Sequence, residues 1–403
     1  MTKQLNQQEK QPSTLKRKTK TLSYAWILSA AVLLVSFKEL PFRELASLVP
    51  ARPNVTAGFK NWGLINQRAK SHIQAEDAWK IEKGSKDILV AVIDTGIDAS
   101  HKDLAPNIYN EKSTPRGKNC PASALKVFGW DYVTGKCNPS DDHGHGTHVA
   151  GIIGAVTNLD SGVSGVAPRV SIMAVKYYSE SNPGSVNLKN TIDALNYAID
   201  RGARIINYSG GGPEYSEAEY LAIKRAESRG ILIVAAAGNE HQNTDLRENY
   251  YYPQAYGLSN IISVAATDIN NNLLPSSNWG KSKVDVAAPG ENIYSTLPGN
   301  RYGYMTGTSQ ATAFVSGIAA LLLARNPSLK PAEIKAIVRN SVDKLPQLES
   351  KIASGGRVNA YSALIALNQW SSPGVQNPRL ALPTSSPPAA SRRAAGAAPS
   401  PGF

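Results

Sequence analysis

The chain has 403 residues, 43 Lys+Arg against 31 Asp+Glu for a formal charge of +12, 42% hydrophobic residues and 2 Cys. Such a length allows two ordinary domains or one large α/β domain, with enough chain to bury a core without covalent staples. Two cysteines exclude a disulfide-built scaffold and a Cys-rich zinc or iron–sulfur site, and 18% charged residues is too few for a disordered polyelectrolyte.

In chain order, the basic excess sits first at the start. Residues 1–21 carry Lys3, Lys10, Lys16, Arg17, Lys18 and Lys20 against Glu9. Residues 38–60 add Lys38, Arg43, Arg52 and Lys60 against Glu39 and Glu44, and the far end adds Arg379, Arg392 and Arg393. Residues 61–369 are left nearly neutral. A nucleic-acid-binding domain keeps its positive field on the folded part, so nucleic acid is not an expected partner.

Residues 22–37, LSYAWILSAAVLLVSF, contain no charge. As a helix they reach about 24 Å, short of the roughly 30 Å hydrocarbon core. A basic head before a short apolar run is the signal-peptide pattern, yet no small-x-small site follows directly, and Val49-Pro50-Ala51 lies far downstream. A cleaved signal peptide and a membrane-tethering signal anchor both stay open. Either keeps the head cytoplasmic and exports the rest. A buried core helix is the bland alternative, but a lysine-rich head has no reason to precede one. Residues 38–60 read as a linker, 61–369 as the folded body, and 370–403, rich in Pro, Ala and Ser, as a disordered tail.

Within the body, 88–94 (ILVAVID) is a continuous β-branched run, as a strand covered on both faces requires. Segments 171–178, 203–209, 231–238, 261–268 and 284–290 read the same way. Helical patterns fall between and after them, at 190–202, 216–230, 308–327 and 330–342. The second starts with Ser216 as cap and Glu219 three residues on. This alternation predicts a three-layer α/β fold, a mostly parallel central sheet with helices on both faces, with no repeat and no second domain boundary. Chemistry in such folds gathers at the carboxyl ends of strands.

Three motifs lie where that rule points. Strand 88–94 ends in Asp94-Thr95-Gly96, which taken alone is an ordinary strand-end turn. DDHGHGTHVAGII (141–153) holds three histidines; they suggest a metal, but the helical spacing of a zinc-peptidase motif is absent. His145, between Gly144 and Gly146, is sterically open near a helix start, whereas His148 reads as structural and His143 as a loop residue. Gly307-Thr308-Ser309-Gln310 opens the strongest helix; a serine there is most often an N-cap, but the helix N-terminus also offers unpaired N–H groups to an oxyanion.

The order Asp, His, Ser, separated by 51 and 164 residues, resembles the subtilisin-like serine peptidases, the subtilase family, whose known order it matches. The likeness runs from NWGL (61–64) to GRVNAYSAL (356–364), through SGVSGVAP, IINYSGGG, VAAAGNE, YYPQAY, VDVAAPGENIYST and YMTGTSQATA. It implies a serine endopeptidase with Ser309 as nucleophile, His145 as general base and Asp94 as its orienting partner. Asn239 and the Ser309 N–H would hold the oxyanion. An extended or unfolded polypeptide would pair with strand edges at 182–186 and at Ser209, Gly210 and Gly211. Ser209, Gly210 and Gly211 with Ala236, Ala237 and Gly238 would wall the pocket for the residue before the cut. A monomer needing no cofactor is expected.

Several features depart from the family pattern. Gln310 to Ala313 replace the usual Met-Ala-Ala/Thr-Pro, and Gly210 stands where Leu is common. Between the apolar run and NWGL there are about two dozen residues, fewer than the usual folded propeptide. Asp103 and the loop 157–165 match a calcium-binding pair, with Asp160 as a candidate ligand, but Leu159 supplies no side-chain oxygen. Cys120 and Cys137 bracket an insertion between the Asp and His motifs and would bridge in an oxidising compartment, the alternative being two free thiols. A non-catalytic surface-binding relative would lack at least one of the four polar groups, and all four are present. A different α/β hydrolase would show a Gly-x-Ser-x-Gly elbow and another order, and neither is seen.

Overall fold

The computed structural model describes residues 60–65, 70–110, 120, 127–158 and 160–370. The basic head, the apolar run, all but the last residue of the linker, the tail beyond Trp370 and Leu159 lie outside them. In chain order the elements are α1 (Ala75–Ile81), β1 (Leu89–Asp94), β2 (Gly129–Asp131), β3 (Lys136–Cys137), α2 (His145–Gly154) and β4 (Ser171–Lys176). Then come α3 (Gly184–Asp200), β5 (Ile205–Tyr208), α4 (Glu217–Ser228), β6 (Leu232–Ala236), β7 (Ile261–Thr267) and β8 (Val286–Pro289). The chain continues with β9 (Ile293–Leu297), β10 (Arg301–Met305), α5 (Thr308–Arg325), α6 (Pro331–Asn340) and β11 (Asp343–Lys344). It closes with α7 (Pro346–Glu349), β12 (Gly356–Arg357) and α8 (Ala360–Trp370).

Ten strands form one sheet in the order β11-β12-β8-β7-β6-β5-β1-β4-β2-β3. From β12 to β2 every neighbouring pair is parallel, and the antiparallel pairs β11·β12 and β2·β3 lie at the two edges. After β4 the chain crosses β1 to lay down β5 on its other side, so winding reverses at β1. The crevice outside the carboxyl ends at such a reversal is where ligands bind.

Side chains alternate along each strand, and both faces are covered. Val90 and Val92 of β1 join one core with α2, α5, α6 and α8. Leu89, Ala91 and Ile93 join the other, with α3 and α4. The three layers expected from the sequence are therefore present. Helix α5 is buried from Thr308 to Leu323, which explains a composition apolar and small on every side. Its inner Ser316 donates to Asn207 Oδ1 of β5 (2.8 Å), whose Nδ2 donates to Ser209 Oγ (2.9 Å). Ser209 Oγ donates in turn to the Ser309 carbonyl (3.4 Å), which ties the middle and the start of α5 to the end of β5.

Some sequence expectations shift. The pattern at 190–202 belongs to a helix that begins earlier, at Gly184, after Pro183 sets its entry. Ser216 caps α4 by accepting from Glu219 N, but the Glu219 carboxylate turns inward to accept from Tyr208 and Tyr256 hydroxyls. Strands β2, β3, β9 and β10 and helices α1, α7 and α8 carried no distinct periodicity because they are short or lie under other elements. Among the described residues no helix is long and apolar enough to cross a membrane.

Cys120 and Cys137 are joined by a disulfide, with Cα atoms 5.4 Å apart. It ties a connection of 17 residues to the edge strand β3. By loop-closure entropy this stabilises the fold by about 3 kcal/mol. Urea unfolding with and without reductant, and of Cys137→Ser, is expected to show that loss; coincident curves would mean that the bridge contributes nothing.

Candidate active site

Asp94 is the last residue of β1 and is 4% exposed. Its Oδ1 accepts from Thr95 N (2.8 Å) and from His145 Nδ1 (2.7 Å). A carboxylate only accepts, so Nδ1 carries the hydrogen and Nε2 is left with its lone pair. His145 is the first residue of α2, and its side chain is 23% exposed, open to the cleft. Such proximity of helix and strand requires glycine next door: a Cβ on Gly146 would lie 2.1 Å from the Gly96 carbonyl oxygen.

Asp141 and Thr95 brace this junction. Asp141 Oδ1 accepts from Thr95 Oγ1, His143 N and Gly144 N, and its Oδ2 from Thr147 N and Thr147 Oγ1. Thr95 Oγ1 in turn accepts from Gly146 N (2.9 Å). Asp141 thus satisfies the open N–H groups at the start of α2, where a negative charge is also favoured by the helix dipole. Neither residue was assigned a role from sequence, although a paired Asp ahead of a Gly-rich helix start is a capping signal.

Ser309 is the second residue of α5 rather than its cap, which is Gly307. It is 8% exposed, and its Oγ donates to the Ser209 carbonyl (3.0 Å). Asn239, just past β6, is exposed, and its Oδ1 accepts from Thr308 N (3.0 Å) and Thr308 Oγ1 (3.2 Å). A backbone N–H can only donate, which assigns that atom as oxygen and leaves Nδ2 as the donor. Asp94, His145, Ser209 and Ser309 share one cleft of about 200 Å³ with Thr95, His143, Tyr177 and Tyr178. The four sequence-predicted polar groups are therefore gathered at the strand ends, three in the cleft and Asn239 against the start of α5. Gln310 is buried and is not among the residues that line this cleft.

Burial disfavours a charge on His145, but the Asp94 carboxylate, with Asp141 behind it, outweighs that and raises its pKa above the ordinary 6.5. One turn on, His148 is buried and pushed down to about 3 by burial and by neighbouring His145. Its Nε2 donates to the Ile293 and Gly303 carbonyls (2.9 and 3.3 Å), pinning α2 to the β9–β10 hairpin as a structural residue. His143 faces Glu180 (3.3 Å). The three histidines thus point to three different partners, and Asp142 pairs with buried Lys176 (2.6 Å). Among the described residues no group of three or more His, Cys, Asp or Glu is placed to hold a metal ion.

The expected calcium ligands do not converge. Asp103 Oδ1 accepts from Asn158 Nδ2 (2.8 Å), and Oδ2 from Ser161 Oγ (3.2 Å) and Tyr302 Oη (2.5 Å). Asp160 lies on the surface. A carboxylate encircled by hydrogen-bond donors is arranged for those donors, not for a hard cation, which needs oxygen lone pairs around it.

The substrate edge expected at 182–186 is not extended. Gly184 and Val186 lie in the first turn of α3, and Asn182 N closes a turn onto Ser179 O (3.1 Å). Pro183 starts a helix there instead. The segment at Ser209, Gly210 and Gly211 does leave β5 at the cleft, and Gly212 pairs with Tyr252 behind it. A Cβ on Gly210 would lie 2.3 Å from Tyr177 Oη, so the phenol fills the place of the larger residue common in the family. Ala236 ends β6 alongside, and Ala237 and Gly238 follow it, with Ala237 O accepting from Asn278 Nδ2 (3.0 Å).

A parallel sheet whose strand ends gather a serine, a carboxylate-paired imidazole and an amide donor defines a serine hydrolase. The model of the subtilase family matches residues 85–359. Thermitase of Thermoactinomyces vulgaris is 39% identical over 298 residues, 74% of this chain and 95% of that protein. Subtilisin Savinase of Lederbergia lenta is 37% identical over 302 residues, 75% and 97%. The major intracellular serine protease of Bacillus subtilis is 39% identical over 250 residues, 62% and 72%. Among solved structures, a protease from Pseudoalteromonas arctica is 28% identical with a TM-score of 0.63, covering 79% of this chain and 100% of that one. The chain belongs to the subtilase family and is a serine-type endopeptidase.

We expect the His145 imidazole to titrate with a midpoint above 6.5 in 15N NMR, and Asp141→Asn to lower that midpoint. His148 should stay neutral through the same range. A His145 midpoint at or below 6.5 would contradict the ion-pair geometry.

Proposed function

We propose that residues 61–369 form the peptidase body of an exported enzyme that cleaves polypeptides through an acyl-enzyme. The single observation that carries the mechanism is the Asp94–His145 contact, because it fixes which imidazole nitrogen faces the cleft. Ser309 Oγ leaves the Ser209 carbonyl, attacks the scissile carbonyl carbon and passes its proton to His145 Nε2. Asp94 stabilises the imidazolium. The oxyanion is held by Asn239 Nδ2 and by the Ser309 N–H at the start of α5. His145 returns the proton to the leaving amine, and water repeats the sequence on the acyl-serine.

Family membership by itself does not carry a location, since one matched relative is named as intracellular and others are not. Export rests on the basic head before the apolar run at 22–37 and on the Cys120–Cys137 bridge, a bond that persists in oxidising compartments. Secretion and tethering are both served by that segment. The donors around Asp103 support a loop that holds its shape without calcium.

Ser309→Ala should lower kcat on an unfolded protein substrate by about 10⁶-fold, the scale known for this residue's counterpart in subtilisin, and abolish labelling by fluorophosphonates. Asn239→Ala should lower kcat by about 10²–10³-fold, again the subtilisin scale. As neutral His145 is the base, kcat/KM should fall as pH falls through a midpoint above 6.5. Undiminished turnover by Ser309→Ala would overturn the mechanism.

Calcium and EDTA should leave the unfolding temperature the same. A rise with calcium that Asp103→Asn removes would assign a cation to the loop.

A further inference from the structure

The two strips that flank the substrate residue before the cut, 209–211 and 236–238, both present glycine to the space between them. That space is not empty. A Cβ placed on Gly211 would lie 2.5 Å from Tyr251 Cε1, and one on Gly238 would lie 3.0 Å from Tyr251 Cε2. Opposite edges of one aromatic ring thus touch the two walls. The ring is one of several groups packed against these glycines: a Cβ on Gly211 would also meet the Tyr252 carbonyl oxygen (2.4 Å), and one on Gly238 would also meet Asn278 Nδ2 (2.3 Å) and Glu240 Oε2 (2.5 Å).

Neither wall can retreat. Gly212 N donates to Tyr252 O (3.1 Å) and Tyr252 N to Gly212 O (2.7 Å), so the first strip is paired to the residue next to Tyr251. On the other side Asn278 Nδ2 donates to Ala237 O (3.0 Å) and to Glu240 Oε2 (2.5 Å), and its Oδ1 accepts from Glu240 N (3.1 Å) and Gln242 N (2.8 Å). Six hydrogen bonds, two from the pairing and four at Asn278, hold the strips to fixed neighbours. Burial, with the Glu240 carboxylate nearby, keeps the Tyr251 phenol protonated well beyond its ordinary range.

We infer that Tyr251 is a specificity-determining residue that plugs the slot for the side chain before the scissile bond, limiting cleavage to sites after small residues such as Gly, Ala and Ser. This rests on the proposed placement of the acyl site at Ser309 between those strips. A large side chain entering the slot would have to displace a packed ring held between two hydrogen-bonded strips. Alanine reaches only its mouth. Filling the space that an apolar side chain would take removes the burial that normally rewards Phe or Leu there, and a single methylene of such fit is worth roughly tenfold or more in selectivity.

The test uses the purified full chain and peptides of one sequence varied only before the cut: Gly, Ala, Leu and Phe. Wild type should show kcat/KM for Ala at least tenfold above that for Phe. Tyr251→Gly and Tyr251→Ala should raise the Phe/Ala ratio at least tenfold, with KM for the Phe peptide falling. Wild-type cleavage after Phe as fast as after Ala overturns the plug whatever the variants do. So does an unchanged ratio in folded variants. Fluorophosphonate labelling of Ser309, read by mass spectrometry, separates the layers: a chain that neither labels nor cleaves any peptide overturns the proposed mechanism, and this inference with it.

Discussion

Oδ1 of Asp94 accepts two hydrogen bonds at once, from its own neighbour Thr95 and from His145, 51 residues away in the chain. Everything at the cleft follows from that oxygen being at the end of β1 with a helix start brought against it. The approach needs Gly146, since any side chain there would run into the Gly96 carbonyl. It also needs Asp141, which satisfies the open N–H groups of α2 and adds a second negative charge behind the imidazole. Position, tautomer and charge preference of His145 thus share one origin. None of them belongs to the histidine alone.

Helix α5 supplies the other half by a different physical route. Apart from Gln310 its buried residues are apolar or small, because it lies across β5 to β8 under other elements, so its direction is fixed by packing. A buried helix start must still satisfy its N–H groups. Asn239 serves Thr308, and in doing so its amide is turned so that Nδ2 faces outward as a donor. In the proposed mechanism, the contact that satisfies the helix end also leaves an amide to donate to the oxyanion.

Three tyrosines pack around the rim of the family framework. Tyr177 fills the space above Gly210, Tyr302 donates to the carboxylate of Asp103, and Tyr251 stands between Gly211 and Gly238. Each combines a rigid ring with one hydroxyl, so it can replace volume and a polar partner together.

The layered α/β fold was legible because long β-branched runs are interleaved with and followed by helical patterns between 88 and 342, and Asp94, His145, Asn239 and Ser309 were legible through the subtilase resemblance of the motifs that carry them. The edge strands and the β9–β10 hairpin were not, since two- to five-residue elements carry too few side chains for a period. The family resemblance likewise pointed to the two strips at Ser209 and Ala236 but could not say what lies between them, nor that α3 begins at Gly184 within the expected edge, nor which donors surround Asp103. Chemistry carried by a residue type at a chain break can be read locally. Whether a space is open, and which long-range donor reaches a carboxylate, depends on side chains from distant segments meeting in three dimensions, and only the packed tertiary structure decides that.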